Sequence, residues 1–401
     1  MDTLDYSSWS LGLKQRVAAR RVPLGGTVEL TRRCNNRCRH CYNNLPVTDS
    51  KALASELSTP EVIRILDEIT AAGCVWLLFT GGEIFLRPDF LDIYDHARQK
   101  GLLLTLFTNG TLITSRAADH LARYRPFSIE ITLYGATRET YERVTGTPGS
   151  FDRCLRGIRH LRDRGLPLKL KATISTLNRH EIPEMKRFAE DEPELPFRFD
   201  AMLNPRCDCS LKPLEVRLSP EEVVQLDLAD PERVEAMREF ARSQRSHAAG
   251  NSHGNSLYPC GGGVHSFAVD PYGRLRACAI SPDEGYDLKV GSFAEGWNGF
   301  LAQVREQAID RTTKCLRCSL RTMCGTCPAN AELECGDPQQ PVDFLCRVAH
   351  LRAYALALPM APHGDCEYCP GGTQHDEIVR MGEEVRVTSN EQRVTSGTIK
   401  K

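Results

Sequence analysis

Residues 27–42 read TVELTRRCNNRCRHCY. Residues 27–31 are a β-rich run, and Cys34, Cys38 and Cys41 follow it at C-x3-C-x2-C spacing. A strand that feeds directly into potential ligands belongs at the carboxyl edge of a parallel sheet, where such folds bind their ligands. The number of cysteines matters chemically. A closed iron–sulfur cluster or a structural zinc site takes four protein ligands. Three thiolates on a four-iron cluster leave one iron able to accept a small molecule through an amine and a carboxylate. The other reading of the same residues is a zinc knuckle, with His40 as fourth ligand.

Beyond the cysteines the chain alternates helical and β patterns. Ser58 and Glu61 have capping-box spacing with Pro60 in the first turn. Val62, Ile65, Leu66 and Ile69 then recur at helical period, and Gly73 supplies a stop. Residues 75–80 form an apolar run of the kind buried parallel strands show. Helical patterns at 90–100, 115–123, 151–164 and 181–190 alternate with strand patterns at 103–108, 127–133, 168–174 and 197–202. About six β-α units result, at the spacing of a parallel sheet. A doubly wound sheet and an open barrel both fit this periodicity.

The remaining features bound the function. With 401 residues the chain holds two or three domains, and its net charge of −1 gives no footprint for nucleic acid. Asp2 and Asp5 break any signal-peptide pattern, and the apolar run 353–361 is too short to span a bilayer. A cytoplasmic protein without membrane or nucleic-acid partners is expected. Seventeen cysteines are then unusual. In a reducing compartment, clustered cysteines point to metal or redox chemistry rather than disulfides.

Three further motifs stand at successive strand ends. They are Gly81-Gly82-Glu83, Thr108-Asn109-Gly110, and the run IEITLYG, which contains Thr132 and Tyr134. Two glycines let backbone approach a ligand closely, and a carboxylate can accept from an ammonium. With the cysteine triad, this ordered set resembles the radical S-adenosylmethionine (SAM) superfamily over residues 27–202. The resemblance implies a partial (β/α)6 barrel. It implies that Cys34, Cys38 and Cys41 hold a [4Fe-4S] cluster and that SAM binds at the open iron. It also implies SAM contacts at Gly81, Gly82, Glu83, Thr108, Asn109 and Thr132. Cleavage of SAM would yield a 5′-deoxyadenosyl radical. Two positions depart from the family pattern: Ile84 replaces the usual proline, and Tyr134 stands where an aspartate is frequent.

A second group of cysteines comprises Cys260, Cys278, Cys315, Cys318, Cys324, Cys327, Cys335 and Cys346. Residues 270–273, Asp-Pro-Tyr-Gly, are good turn chemistry between the first two. The nested C-x2-C-x5-C-x2-C spacing is a metal signal, and alone it also suits a zinc ribbon. It resembles the SPASM domain, which carries auxiliary clusters, with its last gap one residue shorter than usual. The resemblance gives Cys315, Cys318, Cys324 and Cys346 to one auxiliary cluster. Cys260, Cys278 and Cys327 go to another, whose fourth position is open, held by a non-cysteine ligand, or filled by Cys335, Cys207 or Cys209. Cys366 and Cys369 form a C-x2-C pair with too few ligands for a site, and read as incidental. Cys74 and Cys154 read as core residues.

The expected organisation is an N-terminal extension (1–26), barrel (27–202), bridging region (203–255, with a polar linker at 243–255), cysteine-rich domain (256–350), and a C-terminal helix with polar tail (351–401). The resemblance implies an enzyme that modifies a peptide or protein, such as a ribosomally made peptide that it crosslinks. Modification of a small molecule or tetrapyrrole is the alternative within the class. A non-catalytic zinc or electron-transfer protein is the alternative outside it. Only 33 residues precede Cys34, too few for a fused winged-helix leader-binding domain. A separate leader-peptide-binding protein and an electron donor of flavodoxin or ferredoxin type are therefore expected partners.

Overall fold

The computed structural model of the protein describes residues 9–10, 12–13, 16–17, 20–191, 195–248, 255–321, 323–358, 360 and 366–397. Residues 1–8 of the extension, 249–254 of the expected linker and 398–401 of the expected tail lie outside the described residues. The chain divides into two compact units. One is Met1–Val216 with Cys260–Glu306; the other is Arg217–Pro259 with Gln307–Lys401. The segment 256–350 is thus shared between them.

In the first unit, strands β1 (Gly25–Thr31), β2 (Trp76–Gly81), β3 (Leu103–Thr108), β4 (Ser128–Thr132), β5 (Leu168–Thr173) and β6 (Phe197–Asp200) lie side by side in chain order, all parallel. A doubly wound sheet reverses its strand order at a switch point. These six never reverse, so the fold is the open barrel. Strand β1 has a second neighbour that periodicity could not reveal. Strand β7 (Ser266–Val269) pairs parallel to it, and antiparallel β8 (Arg274–Arg276) and β9 (Tyr286–Asp287) extend the sheet. The turn between β7 and β8 is the expected one: the Asp270 carboxylate accepts from the Tyr272 and Arg274 amides, both at 2.9 Å.

The helices follow from local chemistry. Helix α1 (Thr59–Ala71) starts on the Ser58–Glu61 capping box and buries Val62, Ile65, Leu66 and Ile69. Helices α2 (Phe90–Gln99), α3 (Ser115–Arg123), α5 (Ser150–Arg162) and α6 (Ile182–Asp191) lie within about two residues of their sequence expectation, the usual uncertainty of a helix end. Helix α4 (Arg138–Thr145) was not expected. Its sequence RETYERVT is largely polar, so no apolar stripe announces it. Its signals are the Thr137 cap on the Thr140 amide and the left-handed Gly146 after it. Cys74 and Cys154 are buried, as expected.

The second unit is mainly helical: α7 (Pro220–Ala229), α8 (Pro231–Ala248), α9 (Pro328–Cys335), α10 (Asp343–Ala355) and α11 (His375–Gly397). Two expectations change here. Residues 243–248 of the presumed linker continue α8, and the presumed polar tail forms α11. Helix α11 packs on α10 and α7 through buried Ile378 and Val385. Two apolar anchors in a polar helix are too sparse for a periodicity reading. Buried Asp227 ties α7 to α8 and α10 by accepting from Arg233 at 2.6 Å and Arg352 at 2.7 Å.

Strands β1 and β2 are joined by backbone hydrogen bonds just past their carboxyl ends. The Gly82 amide donates to the Thr31 carbonyl at 2.6 Å and the Glu83 amide to the Arg33 carbonyl at 3.0 Å. A Cβ on Gly82 would stand 2.3 Å from the Arg33 carbonyl oxygen and 2.6 Å from that of Arg32. Those atoms are backbone and cannot rotate away. Gly82→Ala should therefore cost about 1–3 kcal/mol, the range of core overpacking. Thermal or denaturant unfolding checks this; an unchanged midpoint would show that the strand ends have room.

Candidate active site

The cysteine triad sits on the loop that leaves β1. Arg33 and Cys34 form a short parallel ladder with Leu45 and Pro46, which closes the loop into a hoop. Inside it, the Cys41 amide donates to the Cys38 carbonyl at 3.2 Å, and Asn44 Nδ2 donates to the same oxygen at 3.4 Å. Helix α4 supports one flank: the Arg37 amide donates to the Thr145 carbonyl at 2.8 Å and the Arg39 amide to Val144 at 3.3 Å. Arg206, beyond β6, supports the other. Its guanidinium donates to the Cys41 carbonyl at 3.3 Å and to the Asn44 carbonyl at 3.0 Å. The Cys207 amide adds a bond to the Tyr42 carbonyl at 2.9 Å.

Cys34 and Cys38 are buried and Cys41 is half-buried. Burial pushes the Cys34 thiol up to about 12 and raises those of Cys38 and Cys41. Three thiols in one desolvated loop cannot ionise together without a cation to offset them; a bound metal centre reverses that preference. The surroundings favour sulfur as an acceptor. The Asn36 amide and Asn109 Nδ2 approach Cys34 Sγ at 3.4 and 3.6 Å, and the Tyr134 hydroxyl bonds to Cys38. Tyr134 thus replaces the more usual acid with a donor to the Cys38 thiol.

The other motifs converge on the same place. The Glu83 side chain is fully buried. Its Oε1 accepts from Thr108 Oγ1 at 2.7 Å and the Phe85 amide at 3.1 Å, while Oε2 accepts from the Asn109 amide at 2.8 Å. Asn109 in turn donates to Asn35 Oδ1 at 2.9 Å, inside the cysteine loop. The strand-end turns and the ligand loop therefore form one hydrogen-bonded assembly, with Glu83 at its centre.

A cavity of about 400 Å³ opens beside it. Its walls include Cys34, Cys38, Cys41, Gly81, Gly82, Thr108, Asn109 and Thr132. Glu83 is not among the lining residues. Inward-facing side chains of five strands complete the wall: Thr27, Leu78 and Thr80, Phe107, Thr132, and Lys171 with Thr173. Among the described residues, Asn36 Nδ2, Asn36 Oδ1 and His40 Nδ1 are buried at this cavity with no hydrogen-bond partner in the protein. Burial lowers the His40 imidazole to about 4, so it is neutral. Three grouped thiols, orphaned polar atoms and close glycine backbone fit a metal cluster and a polar ligand bound there.

Sequence reading brought these motifs together but missed Lys171, Arg206 and helix α4. Lys171 had a faint signal: in LKLKAT the leucines and Ala172 are buried, so the lysines and Thr173 occupy the alternate face. Of the second cysteine group, Cys260 and Cys278 fall in the first unit and Cys327 in the second. Cys207 Sγ lies 3.8 Å from the carbonyl of Ala279, which lines the cavity. Cys209 and Cys335 are exposed. Cys315, Cys318, Cys324 and Cys346 line one small cavity in the second unit with Leu320 and Leu345. Cys366, which the sequence reading took as incidental, and His350 line it too.

Burial lowers the Lys171 ammonium to about 7 from 10.5, with Glu130 only partly offsetting this. A pKa that falls on folding stabilises the fold most above pH 10.5, and the benefit is lost as the pH falls through 7. Lys171→Met should remove that pH dependence, followed by denaturant unfolding between pH 7 and 10. Amine-selective labelling of cofactor-free protein should find Lys171 with a midpoint near pH 7. A midpoint near 10 would mean that its ammonium is solvated.

Comparison with known proteins agrees with this geometry. Residues 28–189 match the family model of the Radical SAM superfamily. An AdoMet-dependent heme synthase of Methanosarcina barkeri is 28% identical over 324 residues, covering 77% of this chain and 92% of that protein. The mycofactocin maturase MftC of Mycobacterium tuberculosis is 29% identical over 300 residues, covering 71% of this chain and 73% of that one. The crystal structure of Streptococcus suis SuiB bound to precursor peptide SuiA matches with a TM-score of 0.59 at 14% identity, covering 86% of this chain and 82% of that one; this likeness shows a shared fold. The superfamily uses a [4Fe-4S] cluster and SAM, and the cysteine loop and cavity described above suit both. By family match, cysteine loop and fold together, residues 28–189 form a radical SAM domain.

Proposed function

We propose that the protein cleaves SAM reductively at a cluster held by Cys34, Cys38 and Cys41, and modifies a peptide or protein substrate. The observation that carries this reading is the shared cavity. The triad, the strand-end turns and the inward faces of five strands all open onto one space. When bound, the cluster and SAM supply the hydrogen-abstracting radical. The chain's own residues bind and orient. The backbone of Gly81 and Gly82, with Thr108, Asn109 and Thr132, forms the SAM contacts. Glu83 positions two of them through the bonds given above. Lys171, partly protonated near neutral pH, is available to a carboxylate within the cavity.

The substrate class rests on two supports. The mycofactocin maturase is alike over most of both chains. An open barrel also leaves one sheet edge at β6, where an extended peptide can add main-chain hydrogen bonds. We assign Cys315, Cys318, Cys324 and Cys346 to an auxiliary cluster. A separate leader-peptide-binding protein, a flavodoxin- or ferredoxin-type donor and a cytoplasmic location complete the proposal. No described helix is long and apolar enough to cross a membrane. A second reading, modification of a tetrapyrrole, is favoured by the heme synthase that matches over 92% of its own length.

After anaerobic reconstitution and reduction, the protein should form 5′-deoxyadenosine and carry roughly eight to twelve irons, as two or three cysteine-ligated clusters require. Replacing Cys34, Cys38 and Cys41 together by Ala should abolish deoxyadenosine while leaving auxiliary-cluster absorbance. Persistent SAM cleavage would remove the site assignment. For the substrate, a short peptide encoded beside the gene should lose hydrogens in a SAM-dependent reaction, seen by mass spectrometry. Turnover of an iron porphyrin instead would favour the second reading.

A further inference from the structure

The second unit contains a trio of side chains that the radical chemistry does not use. Cys366, Cys369 and His350 are each 2% exposed. Among the described residues they form a group whose ligand atoms all lie within 4.8 Å of one another. His350 Nε2 is 3.5 Å from Cys366 Sγ and 3.4 Å from Cys369 Sγ. We propose that these three residues hold a single zinc ion, separate from every iron–sulfur cluster of the protein.

Three independent features carry this inference. The first is spacing. Zn–S bonds of about 2.3 Å and Zn–N bonds of about 2.0–2.1 Å at a tetrahedral angle put sulfur and nitrogen about 3.6 Å apart. Both observed separations match that edge. Thiolates on different irons of a cluster stand farther apart, because a cluster edge lies between them.

The second is the tautomer. His350 Nδ1 lies 2.7 Å from the Cys346 carbonyl oxygen, one turn earlier on α10. A carbonyl oxygen can only accept, so Nδ1 carries the proton and the Nε2 lone pair faces the two sulfurs. Metal-binding histidines are commonly oriented in this way by the bond their other nitrogen makes.

The third is the turn. Residues 366–372 read CEYCPGG. The Gly372 amide donates to the Cys369 carbonyl at 2.8 Å, and Gly371 has φ +88°. A Cβ on Gly372 would stand 2.3 and 2.4 Å from the carbonyl oxygens of Cys366 and Glu367. A turn packed this tightly holds both sulfurs on one side of the histidine. The Tyr368 hydroxyl pins it to Asp343, at the start of α10, at 2.6 Å. The ion therefore clasps α10 to the turn that leads into α11. Two soft sulfurs with one imidazole are a zinc donor set. A fourth ligand completes the coordination from outside the trio.

Full-length protein purified anaerobically, without added metal, should contain about one zinc per chain by elemental analysis, as a single tetrahedral site requires. Zinc-edge X-ray absorption of this unmodified protein should show sulfur near 2.3 Å and nitrogen near 2.0–2.1 Å. This arm needs no variant to fold. In Cys369→Ser, zinc should be lost while iron content and SAM cleavage stay unchanged. His350→Cys should retain zinc with an added sulfur in its shell. Absence of zinc from the unmodified protein, an all-oxygen shell, zinc retained in Cys369→Ser, or iron lost with Cys369 would each overturn the proposal.

Discussion

Gly81 and Gly82 lie against the carbonyl oxygens of Thr31, Arg32 and Arg33, where only a hydrogen fits in place of a side chain. This contact joins the ends of two neighbouring strands at the place where the chain turns toward its cysteines. Its consequences extend outward. Glu83 follows directly, and its buried carboxylate fastens the third strand end through Thr108 and Asn109. Asn109 then reaches the cysteine loop. A register shift between Glu29 and Thr31 bends β1 at the same level, as bulges do beside functional sites. The ligand loop thus rests on rigid sheet rather than on its own backbone.

Placing three thiols in that loop has an electrostatic cost that only a cation relieves. The protein helps without cancelling the cost. Backbone amides, Asn109 and Tyr134 point hydrogen toward sulfur. None is a full charge, so the loop stays neutral in the absence of metal, and a bound metal centre would favour its thiolates. Buried Glu29 adds order to the same loop, accepting from Tyr42 at 2.9 Å and from Asn43 at 2.7 Å. The two ends of the loop are held by elements distant in sequence, α4 and Arg206, which restrict its motion without touching the sulfurs.

The second unit uses cysteine differently. Cys315, Cys318, Cys324 and Cys346 surround a cavity whose wall Cys366 and His350 share, and Cys366, Cys369 and His350 are in close contact with one another. A multi-iron cluster needs the first arrangement and a lone ion needs the second. One helix serves both, since Cys346 and His350 lie one turn apart on α10 and share a hydrogen bond. Metal content in this unit would then stabilise the packing of α10 and α11 as well as any electron transfer.

Much was decided by the sequence alone. Cys34, Cys38 and Cys41, the turns at 81–83 and 108–110, and the β-α alternation over 27–202 are local patterns. Strand and helix periods, capping boxes and ligand spacing act over a few residues, so they survive reading in one dimension. The partners of β1 did not, because β7 pairs with it from far along the chain. Helix α4 was hidden by its polar surface, and α11 by the spacing of its two buried anchors. Cys366 and Cys369 read as a stray pair for the same reason: their third ligand, His350, is brought to them only by packing. Spacing along the chain can announce ligands on one loop, but a site assembled from a helix and a distant turn exists only once tertiary contacts have formed.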